Sequence, residues 1–533
     1  MSARQPSPRR RLLQAAAALA GINSLGRMQD ILAQAAPPAI VASEAERPQL
    51  ICGVMSGDVL ADRGMVWSRT DRPARMIVEW AYDPSMKGAR RIVGPAAMEN
   101  GDFTAHLDLT GLAPGRDVHY RVQFQSLANP RSLSEPAMGR FFTPSTQRRD
   151  ITFAFSGDEA GQGYGINEAF GGYRIYEEMR KFRPDFFIHS GDQIYADGPL
   201  KSELMLPDGT VWKNIVTPEK SKVAETLAEF RGNFAYNFLD ANKRRFAAEV
   251  PFLVQWDDHE VHDNWYPGQM LGDARYQVKS VDLLSARARR AMLEYNPMRL
   301  NGADPERVYR SFAQGPSLEV FMLDERSYRG ANSRNRQAEG DEEGRFLGGE
   351  QMTWLKTALK NSKATWKLIA SDMPMSLVVE DRDAKGPVGT YEAWANADDG
   401  APSGRERELA ALLRYVKQHR IRNLVWVTAD VHYAQATYYN PVRAAFSDFH
   451  PFWEFVAGPL NAGTFGPNPV DKTFGPEIKY VSVPPGNPVN RAPAAGQQYF
   501  GIAKIDGKTE ALRVSLHDLY GKELYSVTIA PEA

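Results

Sequence analysis

The chain has 533 residues, too many for one ordinary domain, and its 43% hydrophobic and 24% charged content excludes a wholly disordered protein. Its 64 Lys and Arg residues balance 65 Asp and Glu residues, and the resulting net charge of −1 predicts no bulk attraction to nucleic acids or acidic membranes. One cysteine, Cys52, excludes an internal disulfide and a thiolate zinc cage, which leaves carboxylates and nine histidines as metal ligands.

Residues 1–36 have the pattern of an export signal. Arginines at positions 9, 10 and 11 precede a short apolar run at positions 15–20, and Ala33-Gln34-Ala35 has the small-x-small pattern of a cleavage site. Arginines followed by two leucines resemble a twin-arginine signal, which predicts export by the Tat machinery and a periplasmic or secreted protein. The run is too short for a stable membrane anchor. The alternative interpretation is a basic disordered or amphipathic tail.

Residues 48–145 have the texture of short β-strands. Apolar and polar residues alternate at 102–108 and at 117–124, and Leu112-Ala113-Pro114-Gly115 indicates a turn between the two runs. Several short strands without a helical segment predict a β-sandwich of about 100 residues. The turn followed by Tyr120 is similar to a strand pair of fibronectin type III domains.

Strands and helices alternate in residues 150–482, which predicts an α/β domain with mixed or parallel sheets. Its predicted strands cover residues 151–155, 185–189, 252–256, 318–323, 366–370 and 423–428. Its predicted helices cover residues 173–182, 222–238, 281–295, 351–361 and 406–419. The last segment, residues 483–533, is predicted to be a linker and a β-hairpin turning at Asp506-Gly507 and packing on this domain.

Acidic and imidazole side chains follow four of the predicted buried strands. They are Asp158, Asp192, Asp258 with His259, and Asp430 with His432. Each short motif alone is more typical of a turn or a helix cap. In open α/β sheets, however, ligands bind outside the carboxyl ends of the strands, and several carboxylates gathered there are costly unless a cation neutralises them. Together the four motifs predict a metal cluster.

These residue types suit phosphoryl transfer. Two cations can clamp the phosphoryl group, and a carboxylate with two oxygens can bridge them, a role for which Asp192 is the candidate. Asp158 and His432 would bind one metal, with Asp258 and Asp430 on the other side. The phenolate of Tyr195 suits a hard trivalent cation. His259 could protonate a leaving oxygen or bind a phosphoryl oxygen.

The same motifs resemble the PhoD-type alkaline phosphatase/phosphodiesterase family of the calcineurin-like metallophosphoesterase superfamily. The resemblance runs from about residue 50 to the C-terminus, and its most specific part is the Trp-Asp-Asp-His-Glu motif that begins at Trp256. The other matching motifs are Gly191-Asp192-Gln193-Ile194-Tyr195, Asn264-Trp265, Leu323-Asp324 with Arg326, Trp366-Lys367-Leu368-Ile369-Ala370 and Asp430-Val431-His432.

The resemblance implies an α/β (α+β) metallophosphoesterase fold, in which two facing mixed β-sheets are flanked by helices and preceded by a fibronectin III-like β-sandwich. It implies Fe³⁺ and Ca²⁺ as cofactors. It implies metal roles for Asp192, Tyr195, Asp258, Asp430 and His432, with Asn264 completing the second metal's shell. His259 is expected to stabilise the transition state or protonate the leaving group. Arg326 is expected either to position the substrate or to brace the site.

The chain departs from the family pattern at two positions. Asp158 stands where the best-known branch has an iron-binding cysteine, so Zn²⁺, Mn²⁺ and an all-calcium site stay open alongside iron. Asp263 stands where relatives often have Asn, a change that favours a hard cation. We retain Asp158 as a predicted metal ligand.

The sequence thus predicts a secreted metal-dependent phosphoesterase that hydrolyses phosphomonoesters, phosphodiesters or both with a metal-bound hydroxide nucleophile. Its substrate would be a small molecule or a polymer, without specific nucleic-acid binding. One alternative is a diesterase for phospholipids, teichoic acids or nucleotides with little monoesterase activity. A second alternative is a non-catalytic surface-binding protein on the same fold.

Overall fold

The protein is described by a computed structural model that covers residues 44–381 and 389–532. The predicted export signal, residues 1–36, lies outside the described residues. Within the described part of the chain, no helix combines the length and the apolar character needed to cross a membrane.

The N-terminal region is a β-sandwich of seven antiparallel strands. These are β1 Val54–Leu60, β2 Arg63–Arg69, β3 Ala74–Ala81, β4 Arg90–Ala97, β5 Thr104–Thr110, β6 Asp117–Ser126 and β7 Ala137–Phe142. Strands β4-β3-β6-β7 form one layer, and β1, β2 and β5 form the other. Alternate residues of β6 point inward, and its Tyr120 and Phe124 pack with Val66 and Leu109 of the opposite layer. The predicted sandwich is confirmed.

The larger region contains fifteen strands and six α-helices among the described residues. The strands are β8 Ile151–Ser156, β9 Phe186–Ser190, β10 Glu203–Met205, β11 Val211–Lys213, β12 Phe252–Gln255, β13 Arg310–Ala313, β14 Leu318–Met322, β15 Trp366–Ala370, β16 Leu424–Thr428, β17 Gln435–Tyr439, β18 Phe452–Val456, β19 Pro476–Val481, β20 Tyr499–Ile505, β21 Leu512–Asp518 and β22 Glu523–Ile529. The helices are α1 Arg174–Lys181, α2 Leu227–Asn237, α3 Ala241–Glu249, α4 Val281–Tyr295, α5 Gly348–Asn361 and α6 Glu406–Gln418.

Two large mixed sheets face each other across one apolar core. The first has the order β22-β21-β20-β8-β9-β12-β1-β2-β5, and the second has the order β13-β14-β15-β16-β18-β17-β19. Phe155 and Ile188 of the first sheet share this core with Val320 and Leu368 of the second. Helices α1 to α4 pack on the outer face of the first sheet, while α5 and α6 pack on that of the second. The predicted architecture of two facing mixed sheets flanked by helices is confirmed.

The first sheet runs without a break from the larger region into the sandwich. Strand β1 pairs in parallel with β12 through Gly57 and Phe252. A side chain at position 57 would place its Cβ 2.5 Å from the Phe252 carbonyl oxygen, so this junction requires glycine. The sandwich is therefore joined to the larger region by backbone pairing as well as by the chain.

The C-terminal tail has three strands where the sequence predicted a hairpin of two. Strand β20 pairs with β8, and β21 and β22 extend the sheet beyond it. Two helices also differ from the prediction. The helix expected at 222–238 begins at Leu227, because Thr226 caps it through a reciprocal capping box with Glu229. Helix α3 was not predicted.

Candidate metal centre

The predicted acidic residues all lie at the carboxyl ends of strands, where the two sheets open toward the same edge. Asp158 follows β8, Asp192 follows β9, Asp258 follows β12 and Asp430 follows β16. Three of these residues have left-handed backbone, with φ of 67° at Asp158, 52° at Asp192 and 63° at Asp430. Such conformations are uncommon outside glycine and concentrate at functional sites.

Two groups of side chains bring their ligand atoms within 4.8 Å of one another. One group contains Asp158, Asp192 and His432, and the other contains Asp192, Asp258 and His259. Asp192 belongs to both groups, which is the geometry that a bridging carboxylate requires. All of these residues except His259 are buried.

The carboxylates of this cluster are short of hydrogen-bond donors. Both side-chain oxygens of Asp158 and Oδ1 of Asp258 are buried without a hydrogen-bond partner. Burial raises the pKa of Asp158 and of Asp192 well above the ordinary value, because ionised carboxylates lose their hydration there. Burial also acts to raise the pKa of Asp258, but the charges of His259 and Arg326 outweigh it and lower that pKa. Cations bound by these oxygens would satisfy them, so the donor set fits metal ions.

His432 is oriented for binding through its Nε2 atom. Its Nδ1 donates a hydrogen bond to the carbonyl oxygen of Gly463, which leaves Nε2 3.6 Å from Oδ1 of Asp158. Burial lowers the pKa of His432 to about 4, so the ring is neutral at physiological pH. A neutral imidazole with its other nitrogen held by a carbonyl is typical of a metal ligand.

Tyr195 lies between the two histidines of the cluster. Its hydroxyl is 2.9 Å from Nε2 of His432, and its ring packs on His259 with centroids 4.2 Å apart. The backbone at Gly161 lies against this ring, because a Cβ there would be 2.4 Å from the Tyr195 Cζ atom. Burial raises the pKa of the tyrosine, so a bound cation would be needed to favour the phenolate.

His259 is paired with Asp197, a residue that the sequence did not single out. Nδ1 of His259 lies 2.9 and 3.0 Å from the two carboxylate oxygens of Asp197, which also accepts a hydrogen bond from the Asp263 backbone. Burial alone would lower the pKa of His259, but Asp197, Asp258 and Asp192 outweigh it and raise that pKa well above its usual value. Asp197 lies two residues after the motif Gly191–Tyr195, but its partner His259 is 62 residues further along the chain, so the sequence gives no local sign of the pair.

Asn264 lies beside the second group. Its backbone N–H donates to Oδ2 of Asp258 at 2.6 Å. Its side-chain amide nitrogen, in the orientation that matches the neighbouring acceptors, donates to both carboxylate oxygens of Glu392 at 2.5 and 2.7 Å. Glu392 is a second residue that the sequence did not single out.

Arg326 is fully buried and is held by carboxylates. Its Nε donates to Oδ1 of Asp257 at 2.6 Å, and its Nη1 donates to Oε2 of Glu392 at 2.8 Å. Of the two roles expected for Arg326, this buried position between carboxylates is the environment of a bracing residue. Its role as a catalytic or substrate-positioning residue stays a prediction.

Asp430 lies near the second group without joining it. Among the described residues, neither of the two three-residue groups includes Asp430. Burial raises its pKa well above the usual range, and the charges of Glu392, Asp257 and Asp258 raise it further. Its role as a metal ligand stays a prediction.

Two family models and one characterised relative identify the same protein family. The family described as PhoD-like phosphatase matches residues 153–516, and its N-terminal domain family matches residues 33–145. Alkaline phosphatase D of Bacillus subtilis (strain 168) is 29% identical over 409 residues, which are 72% of this chain and 64% of that protein. The chain thus spans less than two thirds of the length of this curated relative.

Two solved structures share the fold. A structure of PhoD superposes with a TM-score of 0.67 at 21% identity, covering 92% of this chain and 90% of that one. Purple acid phosphatase PPD1 from yellow lupin (Lupinus luteus) seeds superposes with a TM-score of 0.54 at 12% identity, covering 91% and 74%. At these identities the superpositions demonstrate a common fold.

Proposed function

Because the chain belongs to the PhoD-like phosphatase family, we propose that it is a metal-dependent phosphoesterase acting on phosphate monoesters, phosphate diesters or both. The observation that carries the proposal is the position of Asp192 in both ligand groups, beside carboxylate oxygens that are buried without hydrogen-bond donors. Such a pair of adjoining cation sites is the arrangement that phosphoryl transfer uses.

The two groups assign residues to two cations. Asp158, Asp192 and His432 would hold one, and Asp192 and Asp258 would hold the other, with Asn264 and Asp430 alongside. When bound, two cations supply Lewis acidity that activates water and offsets the negative charge of the phosphoryl group. Asp192 would set the spacing of the two sites through its shared carboxylate.

His259 is the proposed proton donor to the leaving oxygen. Its Nδ1 is engaged by Asp197 at 2.9 Å, whereas the nearest carboxylate oxygen to Nε2, Oδ1 of Asp263, is 3.5 Å away, so Nε2 is the nitrogen that would donate to a substrate. The carboxylates around it favour the protonated ring, which is the form that a general acid requires. The side chain is 16% exposed, whereas the carboxylates of Asp158 and Asp192 are buried, so His259 is open to the solvent side of the site.

The identity of the metals forms a further part of the proposal. A phenolate and carboxylates suit a hard trivalent cation, so Tyr195 favours Fe³⁺ at the group that includes His432. Oxygen ligands from Asp192, Asp258 and Asn264 suit Ca²⁺ at the other group. Zn²⁺ or Mn²⁺ would also be compatible with imidazole and carboxylate donors. The arginine-rich leader supports export by the Tat machinery to the periplasm or the medium.

The proposed activity is tested with p-nitrophenyl phosphate and bis(p-nitrophenyl) phosphate, measured side by side on protein of known metal content. Hydrolysis of at least one ester, abolished by removal of the metals with a chelator and restored by their return, would support the proposal. A ratio of rates strongly in favour of the bis-ester would identify the diesterase alternative. Near-zero rates on both esters with metals bound would support the non-catalytic binding protein instead.

A further inference from the structure

The amide of Asn264 is surrounded by groups that determine its orientation. In the orientation that matches these neighbours, its nitrogen donates to both oxygens of Glu392 at 2.5 and 2.7 Å. In the opposite orientation, the amide oxygen would face those two carboxylate oxygens, an arrangement of acceptors without a donor. Glu392 therefore selects one of the two amide orientations.

Selecting this orientation leaves two oxygens side by side. The amide oxygen then occupies the position 3.5 Å from Oδ2 of Asp263, where the opposite orientation would place the nitrogen. Ca²⁺–oxygen bonds of 2.3–2.6 Å place neighbouring ligands about 3.3–3.7 Å apart when the bonds are at right angles. Two acceptor oxygens at this separation repel each other unless a metal cation or a carboxyl proton lies between them.

Glu392 is held firmly enough to impose the orientation. It is 3% exposed, and Oε2 also accepts a hydrogen bond from Nη1 of Arg326 at 2.8 Å. Its carbonyl oxygen accepts hydrogen bonds from Arg329 and from Nη1 of Arg405, and the latter also donates to the Tyr391 carbonyl at 3.1 Å. Three buried arginines thus fix the backbone and the carboxylate of one glutamate.

We propose that Glu392 is a positioning residue that turns the amide oxygen of Asn264, together with Asp263, toward a cation at the Asp258 side of the centre. The ligand is a hard oxygen-preferring cation such as Ca²⁺. This inference rests on the proposed function, because it assumes that the centre binds metal. It adds Asp263 as a ligand and Glu392 as the residue that orients its neighbour.

The first test measures Ca²⁺ affinity by isothermal titration calorimetry on the full chain and on Glu392→Gln. A glutamine replaces one acceptor oxygen of Glu392 with an N–H₂ donor, so it can pair with either orientation of the Asn264 amide and no longer selects one. Residues that hold metal ligands typically contribute about 10–100-fold in affinity. We expect a loss of that size at one cation site. Unchanged Ca²⁺ affinity in Glu392→Gln would overturn the proposal.

A matched control is provided by Glu408→Gln. Glu408 is also a largely enclosed glutamate, but it accepts its hydrogen bonds from the backbone of Phe346 and Leu347 at 3.2 and 2.7 Å. We expect its Ca²⁺ affinity to equal that of the unaltered protein. Glu392→Asp keeps the charge while withdrawing the carboxylate by one methylene, and it should retain an affinity between those of the unaltered protein and Glu392→Gln.

A double-mutant cycle with Asn264→Ala separates positioning from a general structural effect. If Glu392 acts through the amide, Glu392→Gln should weaken Ca²⁺ binding much less in the Asn264→Ala background than in the unaltered protein. An equal loss in both backgrounds would contradict the positioning role.

The outcome also distinguishes this inference from the proposed activity. Unaltered protein that binds Ca²⁺ with the expected dependence on Glu392 but hydrolyses neither ester would refute the activity alone. If the unaltered protein hydrolyses an ester but Glu392→Gln binds Ca²⁺ as tightly as the unaltered protein, the positioning role alone is refuted. Absence of any cation binding by the unaltered protein would refute both.

Discussion

Both carboxylate oxygens of Asp197 lie within hydrogen-bond distance of Nδ1 of His259, at 2.9 and 3.0 Å. Asp197 is buried, and its pKa is held below the usual range, since the charge of His259 and the backbone N–H of Asp263 outweigh the effect of burial. The pair thereby orients the imidazole, whose second nitrogen lies 3.5 Å from Oδ1 of Asp263. Asp197 is thus among the carboxylates that raise the pKa of His259.

Substitution of Asp197 should change the pH dependence of hydrolysis. The carboxylate raises the pKa of His259, so in Asp197→Asn the ring should lose its proton at a lower pH. We expect the alkaline limb of the kcat profile to move to lower pH, measured across pH 5–10. Asp208→Asn, which alters an exposed turn residue bonded to Thr210, should leave the profile unchanged. An unshifted alkaline limb in Asp197→Asn would exclude the proposed coupling.

Substitution of His259 should affect poor leaving groups most. A positioned general acid contributes typically about 10²–10⁴-fold, and it is needed least when the leaving oxygen is already a weak base. His259→Gln should therefore lower kcat strongly with an alkyl phosphate and much less with p-nitrophenyl phosphate. Equal losses on the two esters, with metal content retained, would assign His259 to phosphoryl or metal binding instead.

Cation binding should stabilise the protein more at alkaline than at acidic pH. Burial raises the pKa values of Asp158 and Asp192 in the metal-free protein, so stability is lost as the pH rises through those values and the carboxylates ionise. Bound cations offset this loss, and at low pH protons compete with them. The gain in melting temperature on adding metal to chelator-treated protein should be larger at pH 8 than at pH 5. Equal gains at the two pH values would contradict this account.

Tyr195 offers a test of the metal at the His432 group. If that cation is ferric iron held by a phenolate, the iron-loaded protein should absorb visible light through phenolate-to-iron charge transfer. Tyr195→Phe should lose this absorption and bind iron less tightly, while its Ca²⁺ affinity at the Asp258 side stays the same. A colourless iron-loaded protein, or colour that survives the substitution, would remove Tyr195 from the iron site.

Local patterns in the sequence were sufficient for the strand-end acids. Asp158, Asp192 and Asp430 each come two residues after a buried strand, and this spacing is visible in the chain itself. Residues that reach the site from distant loops carry no such signal. Asp197 is 62 residues from His259, and Glu392 lies in a segment without regular secondary structure, so only the folded chain reveals their contacts.

Two elements of the fold were missed for different reasons. Strand β22 is an edge strand without a fully buried residue, and the alternation of Tyr525, Val527 and Ile529 with Ser526 and Thr528 went unassigned. Helix α3 is short and rich in charged residues, so its sequence shows no clear helical spacing of apolar residues. The pairing of Gly57 with Phe252 joins segments almost 200 residues apart and depends on a close backbone contact that no local pattern records.

The central claim is that one carboxylate, that of Asp192, is shared by two cation sites. The most direct test is the metal stoichiometry of the purified protein and of Asp192→Asn, determined by elemental analysis together with the rate of ester hydrolysis. We predict about two cations per chain in the unaltered protein and loss of both sites in the variant. The kcat of the variant should fall at least about 10³-fold, because several kcal/mol of charge stabilisation are removed. A variant that keeps two cations and the unaltered rate would contradict the account.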